Sequence, residues 1–207
     1  MGAYDTDLVR ALPARSGGLA RSAWLADIRR LYESFDGGRA RRIALTLKAP
    51  GAHAVTAFRF GHWLLGQPRL VRLVLDPVYH VLDILVHVLW GIEISRHAKV
   101  APGLIIGGSH FGGITVSGAA VIGRDCTISQ NVTIGMSGEG DRAGVPVIGD
   151  CAYIAPGARV FGKIVIGDNF KIGANAVVYK DIPDRAIVVL DPGFRIVSYK
   201  GNRLGAA

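Results

Sequence analysis

The 207-residue sequence has few cysteines and few aromatic residues, and both shortages exclude some classes of function. Its two cysteines, Cys126 and Cys151, are too few for a disulfide framework and lack the spacing of metal ligands. Aromatic residues make up 8% of the chain, and they form no aromatic-basic platform that would favour nucleic acid. Because the first residues include Asp5 and Asp7 and no apolar stretch, we expect no signal peptide and a cytoplasmic location.

Acidic residues are also scarce relative to basic ones. The chain has 16 Asp and Glu residues and 24 Lys and Arg residues, which gives a formal net charge of +8. Such a surface favours anionic partners, among them a phosphorylated cofactor, an acidic glycan or an anionic membrane. With 50% hydrophobic and 19% charged residues, the chain has the composition of a soluble globular protein with a sizeable core.

A six-residue repeat dominates residues 148–178. Branched aliphatic residues recur at every sixth position, and a small or apolar residue stands four places after each of the first five. The aliphatic positions are Ile148, Ile154, Val160, Ile166, Ile172 and Val178, and the others are Ala152, Ala158, Ile164, Phe170 and Ala176. This period fits neither a helix nor an alternating strand, but it is typical of a hexapeptide β-helix with triangular coils. Cys126 has the small inward position of an earlier unit, so we predict a buried thiol.

The repeat begins at Ile94 and is interrupted twice. Residues 107–115 break it first, and residues 135–146 must leave the coil as a loop. After Val178 the period lapses, and the apolar run 186–190 is predicted to form a closing strand. We expect the function at the two interruptions, because solenoid proteins carry it in loops and insertions.

The residues before the coil follow a helical pattern. From Ser22 onward apolar residues recur at steps of three and four, and breaks at Gly37, Pro50 and Gly66 divide the segment into four helices. The chain is therefore predicted to be an α+β protein in four parts. These are a disordered arm at 1–21, an α-helical domain at 22–92, a β-helix domain at 93–190 and a tail at 191–207.

The fourth helical segment, residues 70–92, is the most apolar in the chain. Asp76, His80, Asp83 and His87 recur on it at steps of four, three and four, so they form one polar stripe. The stripe could bind a metal. We favour the alternative that it is the water-exposed face of a packed helix, with interacting side chains at i and i+4, and we predict no bound metal. Peripheral membrane contact through the apolar face stays open, whereas a membrane span is not expected.

Glu93 and His110 are the candidate catalytic pair. They are seventeen residues apart, and three hexapeptides make one coil, so stacking of coils brings the carboxylate towards the imidazole. A carboxylate that holds one ring nitrogen raises the basicity of the other, as a base that deprotonates a hydroxyl requires. The alternative is a surface histidine in a glycine-rich loop.

Several separated motifs occur in one order along residues 24–190. They include Ile92-Glu93-Ile94, Ser109-His110-Phe111-Gly112-Gly113, Asn131-Val132-Thr133-Ile134-Gly135, Asp27-Ile28-Arg29 and Phe58-Arg59-Phe60-Gly61-His62-Trp63. In these motifs the sequence resembles the serine acetyltransferase family, and also the exopolysaccharide-cluster acetyltransferases that share its plan of helices followed by a coil.

The resemblance implies a fold, a cofactor and a site. The fold is an N-terminal α-helical region followed by a left-handed parallel β-helix, assembled as a homotrimer that can pair into a hexamer, with acetyl-CoA between neighbouring coils. His110 would be the base and Glu93 its acid, with Gly135 as an oxyanion candidate. Acceptor candidates are Ser109, Asp141 and Arg142, and cofactor-binding candidates are Gly135, Ala155, Ala174 and Lys180.

Two departures from the serine enzymes bear on the acceptor. This chain has Ser109 where they carry an Asp that meets the substrate ammonium, and Ala143 where they carry a His that helps hold the serine carboxylate. Each lost contact typically costs ~1–3 kcal/mol, so we predict a saccharide hydroxyl as the acceptor, in polysaccharide or glycoconjugate synthesis.

Three alternatives to a saccharide acetyltransferase stay open. The nearest is a serine O-acetyltransferase of cysteine synthesis with a rearranged pocket. A γ-type carbonic anhydrase needs three histidines, and the coil offers only His97 and His110. The most remote alternative is a non-catalytic trimeric assembly module.

Overall fold

The computed structural model describes residues 17–107, 112–139 and 143–190, and within them a group of helices precedes a parallel β-helix. The four helices are α1 (Gly17–Glu33), α2 (Arg39–Lys48), α3 (Pro50–Leu64) and α4 (Arg69–Trp90). Helix α1 begins at Gly17, so residues 17–21, which were expected to be part of a disordered arm, are helical. The predicted tail at 191–207 lies outside the described residues.

Fourteen short strands form the coil. They are β1 (Ile92–Ile94), β2 (Lys99–Val100), β3 (Ile105–Ile106), β4 (Ile114–Val116), β5 (Val121–Ile122), β6 (Thr127–Ile128), β7 (Thr133–Gly135), β8 (Val147–Ile148), β9 (Tyr153–Ile154), β10 (Arg159–Phe161), β11 (Val165–Ile166), β12 (Lys171–Ile172), β13 (Val177–Val178) and β14 (Ile187–Val188).

The strands lie in three parallel sheets, the three sides of the coil. Sheet A has the order β1-β4-β7-β10-β13, sheet B the order β2-β5-β8-β11, and sheet C the order β3-β6-β9-β12-β14. From β1 to β13, successive strands of the chain therefore belong to successive sides, as the hexapeptide period predicts.

The core of the coil consists of the residues that the repeat selects. The aliphatic residues of the six-residue period are almost completely buried, and Ile154, Ile166 and Ile172 are 0% exposed. The corner residues Cys126 and Phe170 are buried to the same extent. The predicted hexapeptide core is confirmed, and it supplies most of the apolar burial that stabilises this part of the chain.

The register between coils shows how many residues each interruption adds. Undisturbed neighbours are eighteen apart, as in Val160 beside Val178. Strand partners are 22 apart across the first interruption, as in Ile92 beside Ile114, and 26 apart across the second, as in Val121 beside Val147. The first therefore adds four residues and the second eight.

The coil continues past Val178, where the sequence period lapses. Ile182 forms a parallel bridge with Ile166, sixteen residues before it, so this coil is two residues shorter than the others. The predicted closing strand is present as β14, which pairs with β12.

The polar stripe of helix α4 is only partly exposed to water. His80 and His87 are exposed, as predicted, but Asp76 accepts a hydrogen bond of 2.7 Å from Arg96 of the coil, and Asp83 accepts one of 3.3 Å from Tyr79. An i,i+4 pair of Arg72 with Asp76, 3.9 Å apart, is also present. Large apolar residues of the helix are nevertheless exposed, among them Leu70, Leu73 and Val88. Among the described residues, no cluster of three or more His, Cys, Asp or Glu could hold a metal ion.

The two cysteines are expected to differ in reactivity. Cys126 is 0% exposed and burial raises the pKa of its thiol to about 12, whereas Cys151 is exposed. Since the thiolate is the reacting species, a disulfide reagent at pH 8 should label one thiol per native chain and two after denaturation. A Cys151→Ser variant should show no labelling in the native state. Labelling of both thiols at equal rates in the native protein would contradict the buried position of Cys126.

Candidate active site

The segment that carries Ser109 and His110 lies outside the described residues, but the chain on each side of it is fixed. Before it, the Gly107 N–H donates to the Ile128 carbonyl at 2.7 Å. After it, the Gly112 N–H donates to the Trp90 carbonyl at 2.8 Å, where helix α4 ends. The first interruption therefore starts at the end of β3 and returns beside the junction of the helices and the coil.

Glu93 has a different neighbour from the one that simple stacking predicts. It is exposed on β1, and its partner on β4 is Thr115, 22 residues later, because the interruption adds four residues. A spacing of seventeen consequently does not place residue 110 beside Glu93. Gly112 lies directly before β4, so the segment that carries His110 still returns to the strand adjacent to Glu93.

Two predicted cofactor residues lie on the edge of the coil that also carries Gly107, the residue before the His110 segment. Register places Ile106, Ile128, Ile154 and Ile172 side by side in sheet C, so the residues that follow them form a column. That column is Gly107, Ser129, Ala155 and Gly173, with Ala174 next in the chain. Ala155 is buried and Ala174 is exposed. We name this column the C–A edge, because it joins sheet C to sheet A.

A groove of about 640 Å³ follows the C–A edge. It begins at Gly107, directly before the His110 segment, and runs past Ser129 and Gln130 to Tyr153 and Pro156. The opposite wall includes Arg30 and Glu33 of helix α1 and Ser34, which follows the helix. The groove thus starts at the residue before the His110 segment and reaches Pro156, which follows the predicted pantetheine contact Ala155 in the chain. Sequence reasoning did not find its helical wall.

Arg30 fixes the helical wall of the groove to the coil. Its guanidinium donates to the carbonyls of Gly103 at 2.6 Å and Cys126 at 2.9 Å, and to the Thr127 hydroxyl at 3.2 Å. Its charge also lies 3.8 Å from Asp125. Because these acceptors occupy its N–H groups, Arg30 serves mainly to position helix α1.

A buried ion pair holds the helices on the first coil. Asp27 of α1 and Arg59 of α3 are 2.7 Å apart, and their side chains are 1% and 6% exposed. Asp27 also accepts the N–H groups of Gly103 at 2.7 Å and Leu104 at 2.8 Å. Burial raises the pKa of the Asp27 carboxyl above its ordinary value, against the opposing effects of Arg59 and these two N–H groups.

The remaining predicted site residues lie elsewhere on the coil. Gly135 at the end of β7 and Lys180 after β13 follow strands of sheet A, so they occupy the edge between sheets A and B. Lys180 is exposed, and its ammonium lies 5.5 Å from the centre of the Tyr179 ring. Within one chain, these two residues are not on the edge that carries the groove.

The second interruption leaves the coil directly after Gly135. Ser137 and Gly144 exchange two backbone hydrogen bonds of 3.1 Å, so the loop starts and ends as an antiparallel pair. The acceptor candidates Asp141 and Arg142 lie between Glu139 and Ala143, outside the described residues.

Curated relatives share both the helices and the coil of this chain. A serine acetyltransferase from Synechococcus elongatus is 34% identical over 179 residues, which are 86% of this chain and 69% of the relative. The serine acetyltransferase of Mycobacterium tuberculosis is 38% identical over 144 residues, which are 70% of this chain and 59% of the relative. No family model matches the chain.

The solved structures that resemble this chain are also serine acetyltransferases. A serine acetyltransferase from Neisseria gonorrhoeae in complex with serine aligns with a TM-score of 0.67 and 29% identity, over 91% of this chain and 73% of that one. Isoform 3 from Entamoeba histolytica, in complex with cysteine, gives a TM-score of 0.69 and 27% identity over 86% of this chain. This chain spans 61% of the Entamoeba chain.

The likeness extends to a serine acetyltransferase solved in complex with CoA, with a TM-score of 0.65 and 26% identity. The parallel coil described above is the left-handed β-helix of these structures, as the sequence predicted. The matches name serine enzymes, so they favour the serine alternative over the saccharide acceptor that the two departures suggested. The chain belongs to the serine acetyltransferase family, a family of acyltransferases that use acetyl-CoA as a co-substrate.

Proposed function

We propose that this protein is an O-acetyltransferase that moves the acetyl group of acetyl-CoA to the hydroxyl of L-serine. The observation that carries the proposal is the groove along the C–A edge, which begins at Gly107, directly before the His110 segment, and reaches Pro156, the residue after Ala155. An open groove of about 640 Å³ lies within the size range of small-molecule sites.

His110 is the proposed general base. It takes the proton from the acceptor hydroxyl, whose oxygen attacks the thioester carbonyl directly; the carbon–sulfur bond then breaks, and the released CoA thiolate takes up a proton. Glu93 is proposed to hold the other ring nitrogen of His110. Its exposed position on β1, beside the strand to which the His110 segment returns, supports this role.

The cofactor site is proposed to lie between two chains of a homotrimer. Ala155 and Ala174 lie on the C–A edge, whereas Gly135 and Lys180 lie on the edge between sheets A and B. A ligand between two coils can contact the first edge of one chain and the second edge of its neighbour. Lys180 would then meet the CoA phosphates, since it is exposed and cationic. A cytoplasmic location is part of the same proposal.

A saccharide hydroxyl is the second candidate acceptor. Ser109 has no negative charge to pair with an ammonium group as the Asp of the serine enzymes does, and the methyl side chain of Ala143, which is exposed, cannot donate to a carboxylate. Both departures weaken the recognition of a zwitterionic amino acid without affecting a base at position 110.

Acetyl transfer to L-serine is the expected outcome of a direct assay. The protein is incubated with acetyl-CoA and either L-serine or a panel of free sugars and nucleotide sugars, and free CoA and acetylated product are measured together. Formation of O-acetylserine supports the proposal. Acetylation of a sugar with no turnover of serine would replace L-serine by the saccharide acceptor, and no product with any acceptor would contradict the proposed function.

A Ser109→Asp variant sharpens this assay. If L-serine is the acceptor and lacks an ammonium partner, restoring the carboxylate should raise kcat/KM for serine by about tenfold, which corresponds to ~1.4 kcal/mol. Ser109→Asn is the matched control, because it has a similar shape without the charge. Equal effects of the two variants would show that the charge at position 109 does not contact the acceptor.

A further inference from the structure

The groove along the C–A edge contains a polar side chain that the fold leaves unpaired. On the helical wall, the Arg30 guanidinium is held by the coil, and the Ser34 hydroxyl donates to the Leu31 carbonyl at 2.7 Å. On the opposite wall, the Ser129 hydroxyl has no hydrogen-bond partner in the part of the chain that the structure describes, although Ser129 is only 7% exposed. Because a buried hydroxyl without a partner is unfavourable, it marks the position of a polar atom of a ligand.

Ser129 lies between the two parts of the groove that the chemistry needs. Ile106 pairs with Ile128, so Gly107 and Ser129, which follow them, are about one strand spacing apart, ~4.8 Å. Ile128 pairs in turn with Ile154, which places Ala155 on the other side of Ser129 in the same column. The Ser129 hydroxyl is therefore between the point where the chain continues to His110 and the predicted pantetheine contact, where an acceptor would meet the thioester.

Glu33 gives this part of the groove a negative charge. Among the described residues that line the groove, it is the only one with a carboxylate. It is the last residue of helix α1 and lies one turn after Arg30, and residues three apart share a face of a helix. Since Arg30 contacts the Thr127 hydroxyl, two residues before Ser129, Glu33 is next to the same part of the coil.

The Glu33 carboxylate can accept a hydrogen bond from a ligand. One of its oxygens accepts a hydrogen bond of 2.8 Å from Nε of Arg29, and the other has no partner among the described residues. The side chains of Arg29 and Glu33 are 79% and 54% exposed, and exposed ion pairs of this kind contribute little free energy. A cationic group that enters the groove can therefore compete for Glu33.

We propose that Glu33 binds the ammonium group of the acceptor amino acid and that the Ser129 hydroxyl donates to the carboxylate of the same acceptor. The inference rests on the proposed function, because it requires an acceptor that carries both charges. It explains how a chain with Ser109 in place of an aspartate recognises L-serine: the negative charge comes from helix α1 instead of position 109. Both residues determine specificity, whereas the proton transfer stays with His110.

Two analogues of L-serine separate the two contacts. 3-Hydroxypropanoate has no ammonium group, and 2-aminoethanol has no carboxylate; the inhibition constant of each is measured against L-serine at saturating acetyl-CoA. In Glu33→Gln, KM for L-serine should rise about tenfold with kcat nearly unchanged, because the lost contact is present in the ground state and the transition state alike. The inhibition constant of 2-aminoethanol should rise by a similar factor, and that of 3-hydroxypropanoate should stay the same.

Ser129→Ala should give the reverse pattern. KM for L-serine and the inhibition constant of 3-hydroxypropanoate should each rise about fivefold, the usual effect of one lost hydrogen bond, while 2-aminoethanol should bind as before. KM for acetyl-CoA should not change in either variant. Equal effects of a variant on the two analogues would overturn the contact assigned to that residue.

Arg29→Ala is the matched control for Glu33→Gln. It breaks the same ion pair but keeps the carboxylate, so KM for L-serine should not rise. A rise equal to that of Glu33→Gln would overturn the inference, because the effect would then come from helix α1 and not from a contact with the acceptor.

A carboxylate at position 109 should compensate for the loss of Glu33. An ammonium group has three N–H donors, so residues 33 and 109 can both accept from it. Ser109→Asp should therefore improve kcat/KM for L-serine by a larger factor in Glu33→Gln than in the parent. If the parent acetylates L-serine and Glu33→Gln keeps the KM of the parent, this inference fails and the proposed function stands. If the parent does not acetylate L-serine, both fail.

Discussion

Replacement of His110 by Ala is expected to lower kcat for acetyl transfer by about a hundred- to ten-thousand-fold, the usual contribution of a general base. The acceptor hydroxyl would then lose its proton to water, which is a much weaker base than an imidazole held by a carboxylate. Release of free CoA in the presence of the acceptor measures the change. Calorimetry with CoA should give an unchanged affinity, because His110 is assigned to the acceptor hydroxyl.

His97→Ala is the matched control for His110→Ala. His97 is exposed on the same coil, and its backbone N–H, not its ring, contacts the Ser95 hydroxyl. The control should keep full activity. Wild-type activity in the His110 variant would remove that residue from the mechanism, and equal losses in both variants would point to an effect on the coil.

The Glu93→Gln variant tests whether Glu93 acts by holding His110, the proposed base. The amide keeps the size of the side chain but no longer stabilises a charged imidazole, so the rate should fall less than in His110→Ala. The lower limb of the pH–rate profile should move to lower pH, because the imidazole loses a neighbouring negative charge. The same profile in the variant as in the parent would show that Glu93 does not act through His110.

The coil was predictable because its repeat is local. Each hexapeptide must place one aliphatic residue inside the triangle, and the sequence shows that requirement at every step, as Ile154, Ile166 and Ile172 illustrate. The register across an interruption is different, because it depends on how many residues leave the coil. No period reveals that number, and for this reason Glu93 lies beside Thr115 instead of residue 111.

Contacts between distant parts of the chain explain the other differences. The pairing of Asp76 on α4 depends on Arg96, twenty residues away, and a helical wheel drawn for α4 alone does not include it. The groove likewise needs α1 and the coil together, since Arg30 and Gln130 come from different parts of the sequence. The motifs around Asp27 and Arg59 were recognised only as family resemblance, and the structure shows their physical role.

Arg59→Met is expected to lower the free energy of unfolding by about 3–5 kcal/mol, the range for removing one partner of a buried ion pair. The variant leaves the Asp27 carboxylate buried with only the N–H groups of Gly103 and Leu104 as partners. It also leaves the carbonyls of Val100 and Ala101 without the donors that Arg59 supplies at 2.7 and 2.8 Å. Urea denaturation followed by circular dichroism measures the change.

Arg29→Ala provides the control on the same helix. Arg29 pairs with Glu33 at 2.8 Å, but the two side chains are 79% and 54% exposed, so water already solvates both charges. This variant should unfold at nearly the same urea concentration as the parent. A loss of similar size in both variants would show that the buried pair has no special role.

The destabilisation by Arg59→Met should also depend on pH. Without Arg59 the pKa of the Asp27 carboxyl in the folded state rises further above its unfolded value, since burial already raises it and the guanidinium opposed that effect. A raised folded pKa means that the folded state binds the proton more tightly, so the variant gains stability relative to the parent as pH falls. The difference in free energy of unfolding between the parent and the variant should therefore be smaller near pH 4 than near pH 8. An equal deficit at both pH values would mean that lost packing of the Arg59 stem, and not the unpaired carboxylate, destabilises the variant.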